Sequence, residues 1–317
     1  VIGHLGEPAD VGAGPEVILG RVDALFEQLL AENDASGELW GLGIGVPGPV
    51  EFRTGHPISP PIMPGWEGYP VREHFADHHR VPVWVDNDVN IMALGEWRAG
   101  LAHGHDDFMF VKVGTGIGCG LVSNGRIHRG AQGSAGDIGH VQVASEERKV
   151  CRCGKIDCLE AHAGGAALAR EGTLLAEAGE SERLATILAD RGRISAREVI
   201  RAARAGDPAA GRLLDHSARL VGQTLAGLAN FFNPSLIVIG GGVAHAGDTY
   251  LATIRQVIYA RSTALATREL LVQISRLGSR AGVIGAASMV LDELFSTEQL
   301  ARWIDHGRPA ALAGAAA

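Results

Sequence analysis

The sequence predicts an α/β protein large enough to pack two lobes. Three observations carry that prediction. Short apolar, β-branched runs alternate with helical text. Glycine, 44 of 317 residues, gathers where those runs end. The chain is 46% hydrophobic and 20% charged, a composition that buries a sizeable core. No apolar run reaches the roughly 18 residues of a membrane-spanning helix, so no membrane partner is expected. A net charge of −8 and a pI near 5.9 provide no broad basic surface for nucleic acid. The chain opens at Val1 in VIGHLGEPAD with neither the basic nor the apolar region of a signal peptide. A cytoplasmic location is expected, with further sequence upstream of Val1.

From Pro15 to Glu32, Val17, Ile18, Val22, Leu25, Phe26, Leu29 and Leu30 fall at helical spacing, and Pro15 suits a first turn. LWGLGIGVPGPV reads as a buried strand entering a tight turn. A helix near Val71 to His79 leads to the strand VPVWVDNDVN and the helix NIMALGEWRAG. DFMFVKVGTGIGCGLVSNGRIHRG reads as two strands followed by an Asn124-Gly125 hairpin turn. A helix-rich half follows, with one long element from Pro208 to Phe232 stopped at Asn233-Pro234. The strand LIVIGGGV, a helix over Thr249 to Ala260, the strand LLVQISRL and the helix VIGAASMVLDELF complete the alternation. The expected division is 1–120 for the remainder of an N-terminal lobe and 121–317 for a C-terminal lobe, both parts of one domain.

CRCGKIDCLE holds three of the four cysteines, Cys151, Cys153 and Cys158, with His140 eleven positions before the first. Three thiolates and one imidazole suit tetrahedral structural zinc. A disulfide and a set of inert buried thiols are the alternatives, although Cys151 and Cys153 are too close to pair comfortably. Closed four-ligand coordination leaves no position for reactive water, so the expected role of the ion is to shape a loop. That loop carries Asp137 before His140 and Glu160 after the last cysteine.

VGTGIGCG follows a strand and has the glycines that let backbone N–H groups approach phosphate oxygens, with the Thr115 hydroxyl beside them. Glycines of this kind also serve hairpins and bulges. IGGGVAHAGD is a second glycine run between a strand and a helix, and neither segment has Walker spacing. In VDNDVN, Asp88 at a strand–helix junction suits a base that accepts a proton from a hydroxyl, and Asn87 suits neighbouring hydroxyls. Helix capping is the plainer reading of both. His103 and His105 read as a polar surface loop, and DRGRISAREVIRAARAGD as the exposed face of an amphipathic helix.

Together, VPGPV, PVWVDNDVN, VKVGTGIGCGLVSNGRIHRGAQGSAGDIGH, CRCGKIDCLEA and NPSLIVIGGGV resemble, in order, the motifs of the ROK family of sugar kinases and sugar-responsive repressors. The resemblance implies an actin-like (ribonuclease H-like) ATPase fold of two lobes, a sugar in the cleft between them, and zinc ordering one wall. Asp88 matches the family's catalytic base. Gly48, Asn87, Asp137, His140 and Glu160 match sugar-contacting positions. Thr115 and Gly116 match the loop near the ATP phosphates, and Gly241 with Gly242 the loop near adenosine. His140, Cys151, Cys153 and Cys158 match the zinc ligands.

Two departures from the family pattern stand out. The E-x-G-H sugar motif is here Asp137-Ile138-Gly139-His140, one methylene shorter, and Asp157 replaces a small glycine before the third cysteine. A left-handed conformation at Asp157 accommodates the latter. The D-x-G-G-T phosphate loop of family kinases does not occur in these residues and is expected before Val1. With a tail, ELFSTEQLARWIDHGRPA, resembling regulator members, the resemblance implies the sugar-sensing domain of a transcriptional regulator. DNA contact is expected through an upstream winged helix. The alternative is an ATP- and magnesium-dependent hexose or N-acetylhexosamine kinase. Self-association as a homodimer or homotetramer is expected from the family.

Overall fold

Local chemistry marks several boundaries: glycines follow strands such as Phe108–Val113 and Leu236–Gly240, and side-chain caps or prolines open helices such as Pro15–Glu32, Ala196–Arg204 and Pro208–Phe232. The computed structural model describes residues 1–33, 39–145 and 147–306. Residues 307–310 of the regulator-like tail lie outside the described residues. Contacts divide the chain into two compact units that interleave along the sequence, unlike a single cut near residue 120. One comprises 1–99, 129–134 and 279–317, the other 100–128 and 135–278.

In the first unit, helix α1 (Pro15–Glu32) begins with its proline in the first turn, where a missing N–H costs nothing. Strand β1 (Leu42–Val46) pairs in parallel with β4 (Val83–Asn87), and a two-residue ladder joins β2 (Val50–Glu51) to β3 (His56–Pro57). Helix α2 (Val71–His79) precedes β4, and α3 (Asp88–Ala99) follows it directly. The core contains Leu19, Ile44, Val46, Trp66, Phe75, Val83 and Val85, and Trp66 donates its indole N–H to the Val11 carbonyl. The parallel register sets Val46 opposite Asn87, so the turn after β1 lies beside the start of α3.

In the second unit, β5 (Phe108–Val113), β6 (Ile117–Ser123) and β7 (Arg126–Ile127) form a meander. Asn124 and Gly125, at φ +50° and +67°, make the turn that matches strand twist. Then come helices α4 (Leu159–Ala163), α5 (Gly165–Glu177), α6 (Glu182–Arg191), α7 (Ala196–Arg204) and α8 (Pro208–Phe232). Strand β8 (Leu236–Gly240), helix α9 (Asp248–Arg261), the short α10 (Ala264–Thr267) and β9 (Leu271–Ile274) complete the unit. Its five-stranded sheet has the order β7-β6-β5-β8-β9, with β5, β8 and β9 parallel. Helix α8 ends where Asn233 turns left-handed at φ +53° ahead of Pro234. The arginine-rich stretch read as one amphipathic helix is split: Arg191 ends α6 and Arg193 lies in the connection, while Arg197, Arg201 and Arg204 lie on α7, and all five are exposed.

The chain then returns to the first unit with α11 (Arg280–Leu294), which packs against α3 and β1, and α12 (Thr297–His306). Among the described residues, no helix is long and apolar enough to cross a membrane.

Candidate functional site

The predicted site residues fall into two groups, one in each unit. In the first unit, the Asn87 side chain donates from Nδ2 to the Gly48 carbonyl at 2.8 Å and accepts at Oδ1 from the Val89 N–H at 2.9 Å. Capping of α3 is thus the work of Asn87, and Asp88, half-buried, occupies the first turn. An amide has two N–H groups and two carbonyl lone pairs, so Asn87 keeps one of each for a ligand hydroxyl. Gly48 has no space for a side chain, because a Cβ there would meet Pro60 Cβ at 2.8 Å.

Beneath this pair lies a residue that sequence reasoning passed over. Asp86 is 1% exposed. Its Oδ1 accepts from the Asn87 N–H at 2.7 Å and from Asn90 Nδ2 at 2.9 Å, while Oδ2 accepts from Arg129 Nε at 2.9 Å. The Arg129 guanidinium lies 3.7 Å from the centre of the Phe52 ring. Buried carboxylates persist when charge and lone pairs are satisfied together, and these partners supply both. The signal was present as the first aspartate of VDNDVN and the arginine of IHRG, but nothing local ties them.

In the second unit the cysteine loop is built as predicted. None of the four cysteines forms a disulfide. One ligand atom from each of His140, Cys151, Cys153 and Cys158 lies within 4.8 Å of the others. Cys151 Sγ is 3.6 Å from His140 Nδ1, and Cys153 Sγ is 3.6 Å from Cys158 Sγ. Tetrahedral zinc with bonds of about 2.3 Å to sulfur and 2.0–2.1 Å to nitrogen separates its ligands by about 3.8 Å (S to S) and 3.6 Å (S to N). The donor set and spacing therefore fit the ion. Burial pushes the Cys151 and Cys158 thiols up. At Cys153 burial acts the same way, but hydrogen bonds from the Lys155 backbone and the two neighbouring thiols outweigh it and hold the group down. The fourth cysteine, Cys119, is a core residue whose thiol burial drives far up.

Asp157 adopts φ +59°, the left-handed conformation expected where the family has glycine. Its carboxylate accepts from the Lys149 N–H at 2.8 Å and from His162 Nε2 at 3.0 Å, which ties the loop's start to its end. The loop carries carboxylates on both flanks. Glu160, in the first turn of α4, accepts from Cys151 Sγ at 3.4 Å and from the Ile117 N–H at 3.4 Å, so it is no freely solvated helix start. Asp137 Oδ1 is 3.9 Å from His140 Nε2, the ring nitrogen turned away from Cys151. The segment clings to β6, since a Cβ on Gly139 would lie 2.1 Å from the Ile117 carbonyl.

Both glycine loops leave the same edge of the sheet, because β5 and β8 are parallel and in register from Phe108↔Leu236 to Lys112↔Gly240. Gly241, at φ +87°, would place a Cβ 2.4 Å from the Val113 carbonyl, while Gly242 faces open space. The carbonyls of Gly114 and Thr115 accept from the N–H groups of Gly165 and Ala166 at the start of α5. Thr115 is exposed, and Gly116 lies against Glu160. Carboxyl ends of parallel strands are the usual ligand edge of such sheets. His105, read as a surface residue, bonds Ser235 Oγ at 2.8 Å, and neither it nor His103 belongs to a metal-competent group among the described residues.

A profile of the ROK family matches residues 15–293. The chain belongs to the ROK family. This ROK chain is 38% identical to a glucokinase of Halalkalibacterium halodurans, over 90% of its own length and 86% of the relative's. It is 32% identical to the xylose repressor of Caldicellulosiruptor bescii, over 92% and 72%. Among solved structures, a ROK glucokinase of Streptomyces griseus in complex with glucose and AMPPNP superposes with a TM-score of 0.73 at 33% identity, covering 85% of this chain and 87% of that one. A ROK transcriptional regulator, a homologue of the E. coli MLC protein, superposes with a TM-score of 0.74 at 29% identity, covering 86% and 68%. The ROK chain accordingly has the actin-like ATPase fold, and its relatives divide between sugar kinases and regulators.

Proposed function

We propose that this chain is the sugar-sensing effector domain of a ROK-type transcriptional regulator. It binds a hexose or related sugar through Gly48, Asn87, Asp88, Asp137, His140 and Glu160. The observation that carries sugar binding is the two-sided placement of His140, with Nδ1 toward Cys151 and Nε2 toward Asp137. Ordering the cysteine loop and orienting a hydroxyl-binding carboxylate are thereby one construction. Zinc, when bound, supplies the positive charge that fixes the loop, and Asp137, His140 and Glu160 present acceptors and a donor to the sugar. The shorter Asp137 of the sugar motif and the similarity to repressors favour sensing. DNA contact then belongs to a further segment, since a net charge of −8 offers no surface for counterion release.

A second reading, an ATP-dependent sugar kinase, is favoured by the similarity to glucokinases and by two glycine loops on one sheet edge. In it Asp88 accepts the proton of the attacking hydroxyl. Thr115, Gly116, Gly241 and Gly242 hold ATP with magnesium. Incubating the full natural chain with ATP, magnesium and a panel of hexoses and N-acetylhexosamines, alongside direct sugar titration, separates the readings. Saturable sugar binding without phosphoryl transfer supports the sensor. Turnover on the order of 1–100 per second assigns the kinase. Absence of binding to every sugar overturns both.

A further inference from the structure

Away from these residues, the face between α1 and α2 gathers three imidazoles and two carboxylates. Asp23 on α1 bonds two histidines of α2 at once: His74 Nε2 lies 2.8 Å from Oδ2, and His79 Nε2 lies 2.9 Å from Oδ1. His78 Nε2 lies 2.9 Å from Glu27 Oε1, one turn along α1 from Asp23. One ligand atom from each of Asp23, His78 and His79 falls within 4.8 Å of the others. We propose that Asp23, His78 and His79 form a second metal site, for a divalent first-row transition ion, that clips α1 to α2.

Four features of the site suit such an ion. Imidazole with carboxylate is a donor set for zinc, cobalt or nickel, and lacks the all-oxygen shell that calcium and magnesium prefer. The ligands are preorganised. The His79 ring stacks on Phe75 at an interplanar angle of 19° and meets Phe26 edge-on at 80°, and its side chain is only 7% exposed. His74 holds the second oxygen of Asp23, the outer-shell arrangement that fixes a carboxylate ligand. The spacing is also near what is needed. Ligands bound at about 2.0–2.1 Å in a tetrahedron stand about 3.3 Å apart, so the 2.9 Å contact between His79 and Asp23 opens by a few tenths of an ångström as Nε2 gives up its proton. On the outer side the His78 side chain is 49% exposed and Glu27 62%, which leaves an entry path and room for Glu27 or water as a fourth ligand.

Cobalt(II) titration of the metal-stripped full chain tests the assignment, because thiolate-bound cobalt shows intense near-ultraviolet charge-transfer bands that nitrogen and oxygen ligands lack. The expected result is two equivalents per chain, the second adding only weak visible bands. His78→Gln, at an exposed position that leaves folding intact, and His79→Gln each remove the second equivalent and leave the thiolate bands unchanged. Cys153→Ser disrupts the thiolate bands and leaves the weak-band equivalent in place. Saturation with no equivalent beyond the thiolate-bound one overturns the proposal. So does a weak-band equivalent that survives both histidine variants, which is adventitious surface binding only.

Discussion

At the scale of single residues, Asp86 fixes the geometry of the segment that carries Asn87 and Asp88. Its carboxylate takes the Asn87 N–H, the Asn90 amide and the Arg129 guanidinium, and its side chain is 2% exposed. Arg129→Met removes the only one of these partners that carries charge and leaves a buried carboxylate uncompensated. A loss on the order of 3 kcal/mol in chemical denaturation is expected, together with weaker sugar binding. Adding Asp86→Asn to the same chain recovers most of the stability, because an amide needs no counter-charge. No recovery means that the arginine acts through packing on Phe52 alone. This pair also marks how much of the site was legible. Asn87, Asp88, His140 and the cysteines could be singled out because their chemistry lies in short strings whose residue types and spacing are themselves the signal. Asp86 and Arg129 stand 43 residues apart, and neither periodicity nor spacing records a partnership made only by tertiary folding. The same holds for Asp23 with His74 and His79, separated by 51 and 56 positions.

Between elements, the α3–α11 crossing is set by glycines, which remove the side chains that would hold the helices apart. A Cβ on Gly285 would lie 1.7 Å from the Ile91 carbonyl, and one on Gly95 2.0 Å from the Ala281 carbonyl. Gly282, on the same helix, faces open space. Gly285→Ala is therefore expected to cost about 3 kcal/mol through overpacking, while Gly282→Ala gains up to about 1 kcal/mol of helix propensity. Thermal or urea denaturation reads both, and equal effects contradict the crossing. Helix α8 gives a pH prediction. Burial acts to raise the Asp207 carboxyl, but the N–H groups of Ala210 and Ala209 and the Ser181 hydroxyl outweigh it and hold the group below its usual range. A carboxyl depressed in the folded state contributes stability above its unfolded value of about 3.9, and loses it as pH falls through the folded value. Asp207→Asn keeps the cap and drops the charge. The stability gap to the natural chain is expected at neutral pH and should close as pH falls through the lowered folded-state value, followed by urea midpoints across pH. The bounds of α1 and α8 were readable for local reasons. Proline openings and the Asn233-Pro234 stop are local chemistry, whereas the partner of a helix face is not.

For the molecule as a whole, the alternation of strands and helices named the α/β class, but it did not show that the chain returns to its first unit at residue 279. A strand or helix looks the same in sequence whichever sheet it joins, and α11 declares its place only by packing on α3 and β1. The cysteine loop is the opposite case, because its ligands run from His140 to Cys158 inside the second unit; its flanks at Ile138 and Leu159 join that unit's core, and the stretch between them has fewer ties outside itself. Two isolated bridges, Gln142↔Cys158 and Val150↔Ile156, a handful of backbone and Asp157 hydrogen bonds, and a small cluster of Cys151, Cys158 and Ala161 hold that stretch against its conformational entropy. If the proposed zinc is bound, stripping it from the folded chain should act regionally. Amide hydrogen exchange is expected to accelerate at least tenfold across 137–163, while the strands at 42–46 and 83–87 and helix α3 keep their protection. On the proposed sugar-binding role of Asp137, His140 and Glu160, all on the loosened segment, sugar affinity should fall in parallel. If exchange across 137–163 is unchanged after quantitative removal of the metal, the packing around Leu159 and Ile138 holds the loop by itself, and the ion has no structural role there.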